Sequence, residues 1–213
     1  MPYSAEGQYY WANTPAVQAL TGMKVDFSLI GAGGIRKNIE AGEYREGNIA
    51  LELIPFSNFM SVVPVKGSVI KELLESTVNA TLPEGAHAGK FPYGGHIRYQ
   101  FTETAKNKSG KLDFVEVMTG TKEKPVWTPL DMNKTYNVAI NNYNATGNDG
   151  WTPLFNAQKK DSGRVDLAFV DEKLTAFPVK KSTALTANTK CVTKVPPLTV
   201  KRTTPVVTPM HRQ

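Results

Sequence analysis

The chain has 213 residues, of which 40% are hydrophobic and 21% charged, a composition typical of one soluble globular domain with enough apolar content for a core of its own. The net charge is +6, but the lysines are dispersed, which favours a solvated basic surface over a nucleic-acid site. A single cysteine, Cys191, excludes an intramolecular disulfide, and neither a signal peptide nor an apolar run near the ~18 residues of a membrane span is recognisable.

The first predicted elements alternate helix and strand. Thr14 is a suitable helix N-cap, Pro15 suits the first helical position, and Gly22 closes the helix. Residues 24–30 alternate partly and predict a strand that runs into a glycine-rich turn. Residues 48–54 predict a helix or a short strand.

The middle of the chain predicts a strand, a clear helix and then mostly strands. A β-branched strand at 59–65 precedes a helix at 69–80 with apolar residues on one face. A loop at 83–94 follows. The remaining predictions are strands at 96–102, 111–119 and 135–140, a hairpin turn at 107–110, and one more helix at 165–176.

These elements predict an α+β fold, with a mixed sheet and a few helices. We predict a domain over residues 1–179 and a tail over residues 180–213. From about Pro178 onward Thr, Pro, Val and Lys dominate, so the tail is expected to be extended or disordered.

A glycine-rich turn follows the first predicted strand and is the first candidate for ligand chemistry. Gly33 and Gly34 would let backbone amides approach an anion closely. Arg36 adds a permanently charged, forked donor that suits a phosphate group. A glycine turn after a strand is more often purely structural, so this motif needs support from elsewhere in the chain.

Two aromatic residues and a carboxylate supply that support. Phe56 lies in a Pro-Phe-Ser-Asn segment, and Tyr143 precedes a Gly-Asn-Asp-Gly turn that contains Asp149. Each ring could be a core residue, and Asp149 could be a simple turn residue. The alternative is a nucleotide site, in which the rings stack on a base and the carboxylate accepts hydrogen bonds from a diol.

No catalytic or metal-binding group is predicted from this sequence. The histidines at 87, 96 and 211 have no ligand spacing with each other or with carboxylates. No Ser-His-Asp arrangement can be argued from the order of residues, and no carboxylate pair is singled out among the 19 acidic residues.

Three motifs together resemble the C-terminal domain of the 5′-nucleotidase family, which includes UDP-sugar hydrolases, NAD nucleotidases and ecto-5′-nucleotidase. They are Gly-Gly-Ile-Arg at 33–36, Pro-Phe-Ser-Asn at 55–58, and Asn-Ala-Thr-Gly-Asn-Asp-Gly-Trp at 144–151. The resemblance covers roughly residues 25–171 and includes Val-Lys-Gly at 65–67 and Phe-Pro-Tyr-Gly-Gly at 91–95. Three motifs in the right order are far more specific than any one of them.

The resemblance implies roles for residues that would contact the phosphate and the base. Arg36 resembles the arginine that reaches the substrate phosphate. Phe56 and Tyr143 resemble the two rings that sandwich the base, although phenylalanine is common at the second position. Asn58 resembles an amide that contacts the base in some members.

The resemblance also implies a ribose site and marks two departures. Asp149 resembles the carboxylate that binds ribose hydroxyls, and backbone groups near Gly34 would line the same cleft. Gly31 stands where many members carry an asparagine or another polar residue. Asn148 replaces a glycine of the family, so we expect a left-handed backbone there.

The resemblance further implies that this chain is the substrate-binding part of a larger hydrolase. The family's complete enzymes have an N-terminal metallophosphoesterase domain, whose pair of divalent metals (such as zinc or manganese) activates water to cleave phosphate ester or pyrophosphate bonds. This chain alone is then expected to be inactive, with no cofactor of its own. The expected ligands are nucleotides or nucleosides of the AMP, UDP-sugar or NAD class, and the expected location is periplasmic or extracellular.

Two other hypotheses remain open at this point. The chain could be a stand-alone, non-catalytic nucleotide-binding module. It could also be a structural interaction domain in which both rings belong to the core and no cleft lies beside Asp149.

Overall fold

The computed structural model describes residues 2–38, 41–48, 51–52, 55–56, 58–121, 123–180 and 198–200. Its centre is a mixed seven-stranded sheet formed by β1 (Phe27–Gly31), β2 (Met60–Lys66), β3 (Pro92–Gly95), β7 (Thr135–Asn141), β8 (Arg164–Val170), β9 (Lys173–Val179) and β10 (Leu198–Val200). The strand order is β10-β9-β8-β2-β7-β1-β3, in which β1 and β7 are parallel and the other neighbours antiparallel.

A smaller antiparallel sheet and several helices pack around the central sheet. The small sheet has the order β4-β5-β6, formed by Ile97–Ala105, Ser109–Met118 and Trp127–Pro129. The helices are α1 (Pro2–Ala12), α2 (Pro15–Thr21), α3 (Glu46–Asn48), α4 (Gly67–Asn79), α5 (Asn142–Ala145) and α6 (Thr152–Ala157). Single 3₁₀ turns occupy Ala32–Gly34, Ala88–Lys90 and Asn148–Gly150.

The central sheet is apolar on both faces because helices cover both. Successive residues of a strand point to opposite faces, so Val62 packs towards α1 and α2 while Val63 packs towards α4 and the small sheet. On the α4 side, Leu73 and Leu74 pack with the fully buried Trp151. The two layers of core hold β1, β2 and β7 at the centre of the molecule.

Several predictions are confirmed to within a few residues. The helix at 15–21 ends at Gly22 in the left-handed conformation, and α4 begins at Gly67. The strand predicted at 59–65 is β2, and the hairpin turn at 107–110 joins β4 to β5. The strand predicted at 24–30 is shorter, beginning at Phe27, and the segment predicted at 48–54 lies partly outside the described residues.

The helix predicted at 165–176 is wrong, because this segment forms the β8–β9 hairpin. Asp171 and Glu172 both have positive φ, of 48° and 62°, which a two-residue hairpin turn uses and a right-handed helix cannot contain. Val165 pairs with Pro178, and Val170 pairs with Lys173. A short apolar run with acidic residues at its centre was ambiguous between the two structures, and strand pairing with β2 decided it.

Helix α1 and strand β3 were not predicted, and they depend on each other. The loop predicted at 83–94 ends in β3, which pairs antiparallel with β1. A Cβ at Gly95 would come within 2.6 Å of the Ala5 backbone, so only glycine allows α1 to pack here. Ser28 Oγ donates to the Ala5 carbonyl at 2.5 Å, and His96 binds Glu6.

The observed architecture confirms the α+β fold with a mixed sheet and few helices. Within the predicted tail, Leu198–Val200 pair with β9, while residues 181–197 and 201–213 lie outside the described part. The division into residues 1–179 and 180–213 stays a prediction. None of the helices in the described ranges is both long and apolar enough to cross a bilayer.

Candidate functional site

Three chain segments converge at one edge of the central sheet because of its strand directions. β1 and β7 are parallel neighbours, so the 3₁₀ turn after Gly31 and helix α5 after Asn141 leave the sheet side by side. β2 runs antiparallel to β7 and begins with Met60 opposite Asn141, which brings the preceding Phe56 and Asn58 to the same edge. These are the segments that carry the three sequence motifs.

A cleft of about 300 Å³ lies where these segments meet. All six site residues predicted from the sequence line it. The lining consists of Gly33, Gly34, Arg36, Phe56, Asn58, His87, Asn141, Tyr143, Asn144 and Asp149.

The two aromatic residues of the cleft are surface residues. Phe56 is 45% exposed and Tyr143 is 42% exposed, so neither ring belongs to the core. The hypothesis of a structural domain with both rings buried and no cleft beside Asp149 is therefore wrong. The guanidinium carbon of Arg36 lies 5.8 Å from the centre of the Phe56 ring, and Arg36 Nη1 donates to the Gly33 carbonyl at 3.3 Å.

Tyr143 and Asp149 are linked directly. The Tyr143 hydroxyl donates to Asp149 Oδ1 at 3.2 Å. Burial, followed by the nearby charge of Asp149 and this hydrogen bond, raises the pKa of Tyr143 above its usual value, so the phenol stays a donor. The hydroxyl thus orients the carboxylate, which a phenylalanine at this position would not do.

The turn that presents Asp149 differs from the expectation for Asn148. The left-handed residue is Asp149 itself, with φ of 56°, between Gly147 at 88° and Gly150 at 81°. The Asn148 side chain instead donates to the Tyr143 carbonyl at 3.0 Å and ties the turn to α5. Asn148 therefore contributes a side-chain hydrogen bond, and its backbone does not have a positive φ.

Sequence reasoning missed three residues of the cleft, His87, Asn141 and Asn144. Asn141 caps α5, its Oδ1 accepting from the Asn144 amide nitrogen at 2.7 Å. The Asn-Asn pair at 141–142, directly after a predicted strand, was the available signal for such a cap. His87 has no comparable signal, because it reaches the cleft through the pairing of β3 with β1.

Few of the described side chains that line the cleft are charged. Its charged side chains are Arg36 and Asp149, and the imidazole of His87 adds one titratable group. Across the described residues, no three His, Cys, Asp or Glu side chains are grouped so that they could hold a metal ion.

Comparison with known protein families identifies the fold. The family model of the 5′-nucleotidase C-terminal domain matches residues 8–157. The chain belongs to the 5′-nucleotidase C-terminal domain family. The match contains all three motifs and the whole lining of the cleft.

Two named 5′-nucleotidases are similar to this chain over most of its length. The chain is 38% identical over 138 residues to the NAD 5′-nucleotidase of Haemophilus influenzae, covering 63% of this chain and 22% of that protein. It is 34% identical over 138 residues to a probable 5′-nucleotidase of Treponema pallidum, covering 65% of this chain and 22% of that protein. The chain thus spans about a fifth of the length of these relatives.

A solved structure supports the same assignment. The NAD nucleotidase of Haemophilus influenzae superposes with a TM-score of 0.61 at 30% identity, covering 78% of this chain and 27% of that chain. The fold is therefore that of the C-terminal domain of 5′-nucleotidase-type proteins.

Proposed function

We propose that this domain binds the nucleoside part of a nucleotide and presents it for hydrolysis in a 5′-nucleotidase-type enzyme. The observation that carries the proposal is the cleft itself, where two exposed rings, an arginine and an oriented carboxylate converge from three separate segments. Exposed aromatic rings are costly to leave in water, and a base that stacks on them removes that cost.

Each group of the cleft matches one part of a nucleotide. Phe56 and Tyr143 would stack on the base, with Asn58 at its edge. Asp149 would accept hydrogen bonds from ribose hydroxyls, since Tyr143 already fixes its orientation. Arg36 and the backbone near Gly34 would face the phosphate, because an arginine fork binds phosphate oxygens through two parallel hydrogen bonds.

The hydrolytic step itself is assigned to another part of the intact protein. The side chains of the cleft do not fit a dimetal centre, since a single carboxylate and a single imidazole line it. From the resemblance to the family, we further propose that a divalent metal pair such as zinc or manganese lies in an N-terminal metallophosphoesterase domain of the intact protein, and that this chain alone is inactive. AMP, UDP-sugars and NAD are the proposed substrate classes, and a periplasmic or extracellular location is part of the same proposal.

Calorimetric titration of the 213-residue chain with adenosine, AMP and NAD tests the binding role. We expect Phe56→Ala and Tyr143→Ala each to weaken binding by about tenfold or more, because a stacked ring contributes ~1–3 kcal/mol per base. Phe114→Ala is the matched control, since Phe114 is a similarly exposed ring on β5, outside the cleft. In an intact enzyme, the two cleft substitutions should raise KM.

Two results would count against this function. One is the absence of binding by the unaltered chain to all three ligands at millimolar concentration. The other is equal affinity in Phe56→Ala, Tyr143→Ala and Phe114→Ala, which would mean that the exposed rings do not contact the base. The hypothesis of a stand-alone binder predicts the same binding, so activity of the longer protein is what separates it from the proposal.

A further inference from the structure

A groove lined mainly by apolar side chains lies beside the cleft. It has a volume of about 430 Å³. The apolar side chains of its described lining include Trp11, Phe59, Met60, Leu167 and Leu174. None of its described lining residues is charged, and the side-chain amide of Asn58 adds a polar group at one end. The groove therefore suits an uncharged, apolar group.

The strand pairing places the groove and the cleft at the same edge of the central sheet. Met60, the first residue of β2, pairs with Asn141 of β7 on one side and with Leu167 of β8 on the other. Asn141 lines the cleft, whereas Leu167 lines the groove. These two residues are two strand spacings apart, which is roughly 10 Å. One small molecule is therefore long enough to reach from the cleft into the groove.

Asn58 is shared by the cleft and the groove. The backbone next to it is fixed by two hydrogen bonds of 2.9 Å, because the Phe59 nitrogen donates to Asn142 Oδ1 and the Asn142 nitrogen donates to the Phe59 carbonyl. These bonds attach the segment before β2 to helix α5, which also carries Tyr143. The position of Asn58 at the junction is therefore set by the fold.

In the proposed pose of the nucleoside, one edge of the base points towards the groove. The base would lie between Phe56 and Tyr143 with Asn58 at its edge, so a group attached to that edge begins where the cleft meets the groove. An apolar group is favoured there, because its burial against apolar side chains releases water from both surfaces. A sugar or a phosphate would instead lose hydrating water without gaining a charged partner.

We propose that the groove binds an apolar substituent on the exocyclic amine of adenine, so that the domain prefers N⁶-substituted adenine nucleosides and nucleotides to unsubstituted ones. An asparagine amide recognises adenine through this amine and a neighbouring ring nitrogen, which places the amine beside Asn58. A singly substituted amine keeps one N–H for that amide. This inference rests on the proposed nucleoside-binding function and adds to it the substrate class that the site selects.

Calorimetric titration of the 213-residue chain with adenosine, N⁶-benzyladenosine and 5′-O-benzyladenosine tests the proposal. The benzyl group on the amine would enter the groove, whereas the benzyl group on the 5′ oxygen lies at the other end of the ligand and controls for unspecific apolar binding. We expect N⁶-benzyladenosine to bind about five- to thirtyfold more tightly than adenosine, the gain expected when about half of a benzyl group leaves water. The 5′-O-benzyl compound should show no such gain.

Two variants of the groove locate the benzyl group. Ala168→Phe places a ring in the groove and should abolish the gain, and Leu174→Gln makes one wall polar at similar volume and should reduce it. Adenosine affinity should be unchanged in both, because neither residue lines the cleft. Leu112→Gln is the matched control, since Leu112 is a partly buried leucine of β5 outside the groove, and it should keep the full gain. Circular dichroism and urea unfolding check that each variant is folded.

Three results would overturn the role of the groove while leaving the nucleoside-binding function standing, provided that adenosine binds. The first is that N⁶-benzyladenosine binds no more tightly than adenosine. The second is an equal gain for 5′-O-benzyladenosine. The third is a full gain in a folded Ala168→Phe or Leu174→Gln variant, either of which suffices if the other does not fold. Failure of all three ligands to bind the unaltered chain would overturn both proposals.

Discussion

Two polar regions of this molecule differ in how far their charged groups are paired with each other. The first is the buried cluster of Arg164, Asp166 and Ser61, at the junction of β8 and β2. Arg164 Nε and Nη2 donate to the two Asp166 oxygens at 2.6 and 2.8 Å, and Ser61 Oγ donates to Asp166 Oδ1 at 2.5 Å. Arg164 and Asp166 are each 4% exposed, so this pairing replaces the water that the charges have lost.

The second region is the cleft beyond the ends of β1, β7 and β2, where the charged groups are not paired in this way. Arg36 is exposed, and among the described residues its side chain makes a single hydrogen bond, of 3.3 Å, to a backbone carbonyl. Polar residues that are buried and paired with each other stabilise the fold. Exposed polar residues beside a cleft keep hydrogen-bonding groups that a ligand can use. Substitutions in the buried cluster should therefore lower stability more than ligand affinity, and substitutions in the cleft should lower ligand affinity more than stability.

The largest expected effect is on stability, at the buried cluster. We expect Arg164→Met to lower the free energy of unfolding by about 3–5 kcal/mol, because it leaves the Asp166 carboxylate buried without its partner. Urea unfolding measures this, and nucleoside affinity at temperatures where the variant is folded should be unchanged. Arg98→Met, which breaks the more exposed pair with Glu116, is the control and should cost about 1 kcal/mol or less.

The next effect is on binding, in the cleft. Asp149→Asn keeps a side chain that tolerates φ of 56° but removes the charge that would accept ribose hydroxyls. We expect adenosine affinity to fall by about 10- to 100-fold, the range for hydrogen bonds to a charged group, with a change in stability of ~0.5 kcal/mol or less. Calorimetry and urea unfolding of the same sample give both values. A larger loss of stability than of affinity would mean that Asp149 belongs with the structural polar groups.

The smallest effect concerns His96, which has features of both regions. It is 5% exposed, its Nδ1 lies 2.8 Å from Glu6 Oε2, and its ring stacks on Tyr9 with centroids 3.5 Å apart. Burial lowers the pKa of His96 more than the opposing effect of Glu6 raises it. The folded state therefore favours the neutral ring, and stability should fall as the pH drops below ~6.5, where the unfolded chain binds the proton.

Urea midpoints at pH 7.5, 6.5 and 5.5 measure this dependence on pH. His96→Asn is the matched variant, because asparagine tolerates φ of 61° and does not titrate in this range. We expect the variant to lose less stability than the unaltered chain on acidification. A rise in the midpoint of the unaltered chain at low pH would instead mean that the Glu6 ion pair outweighs burial.

Much of the fold could be predicted because local signals agreed with the tertiary structure. Helix α4 has an apolar face and a glycine at its start, and a Cβ at Gly67 would lie 2.1 Å from the Asp131 carbonyl oxygen, so local and long-range demands coincide. The β8–β9 hairpin was mispredicted because its turn residues carry side chains instead of the usual glycine. Pairing with β2, a contact across about a hundred residues, imposed the strand conformation.

The residues of the candidate site also fall into those that the sequence predicted and those that only the structure places there. The residues predicted from the sequence lie in or directly beside motifs whose order along the chain was visible, whereas the position of His87 in the cleft needed the structure. His87 is brought to the cleft by the pairing of β3 with β1, and Gly95 of β3 leaves the space in which α1 packs. Asn144 packs against Gly31, more than a hundred residues earlier, where a Cβ would lie 3.1 Å from its side-chain oxygen, and no local pattern encodes such a pair.

The parallel pairing of β1 and β7 has a consequence for how this cleft can be altered. Two of the three segments that form it leave from adjacent strands, whose spacing of ~4.8 Å is set by backbone hydrogen bonds and not by side chains. Because these backbone bonds do not involve the lining side chains, lining residues on those two segments can be exchanged without altering this support. Substitutions among these lining residues could therefore adapt the cleft to other flat, hydroxylated ligands while the spacing of the two strands stays the same.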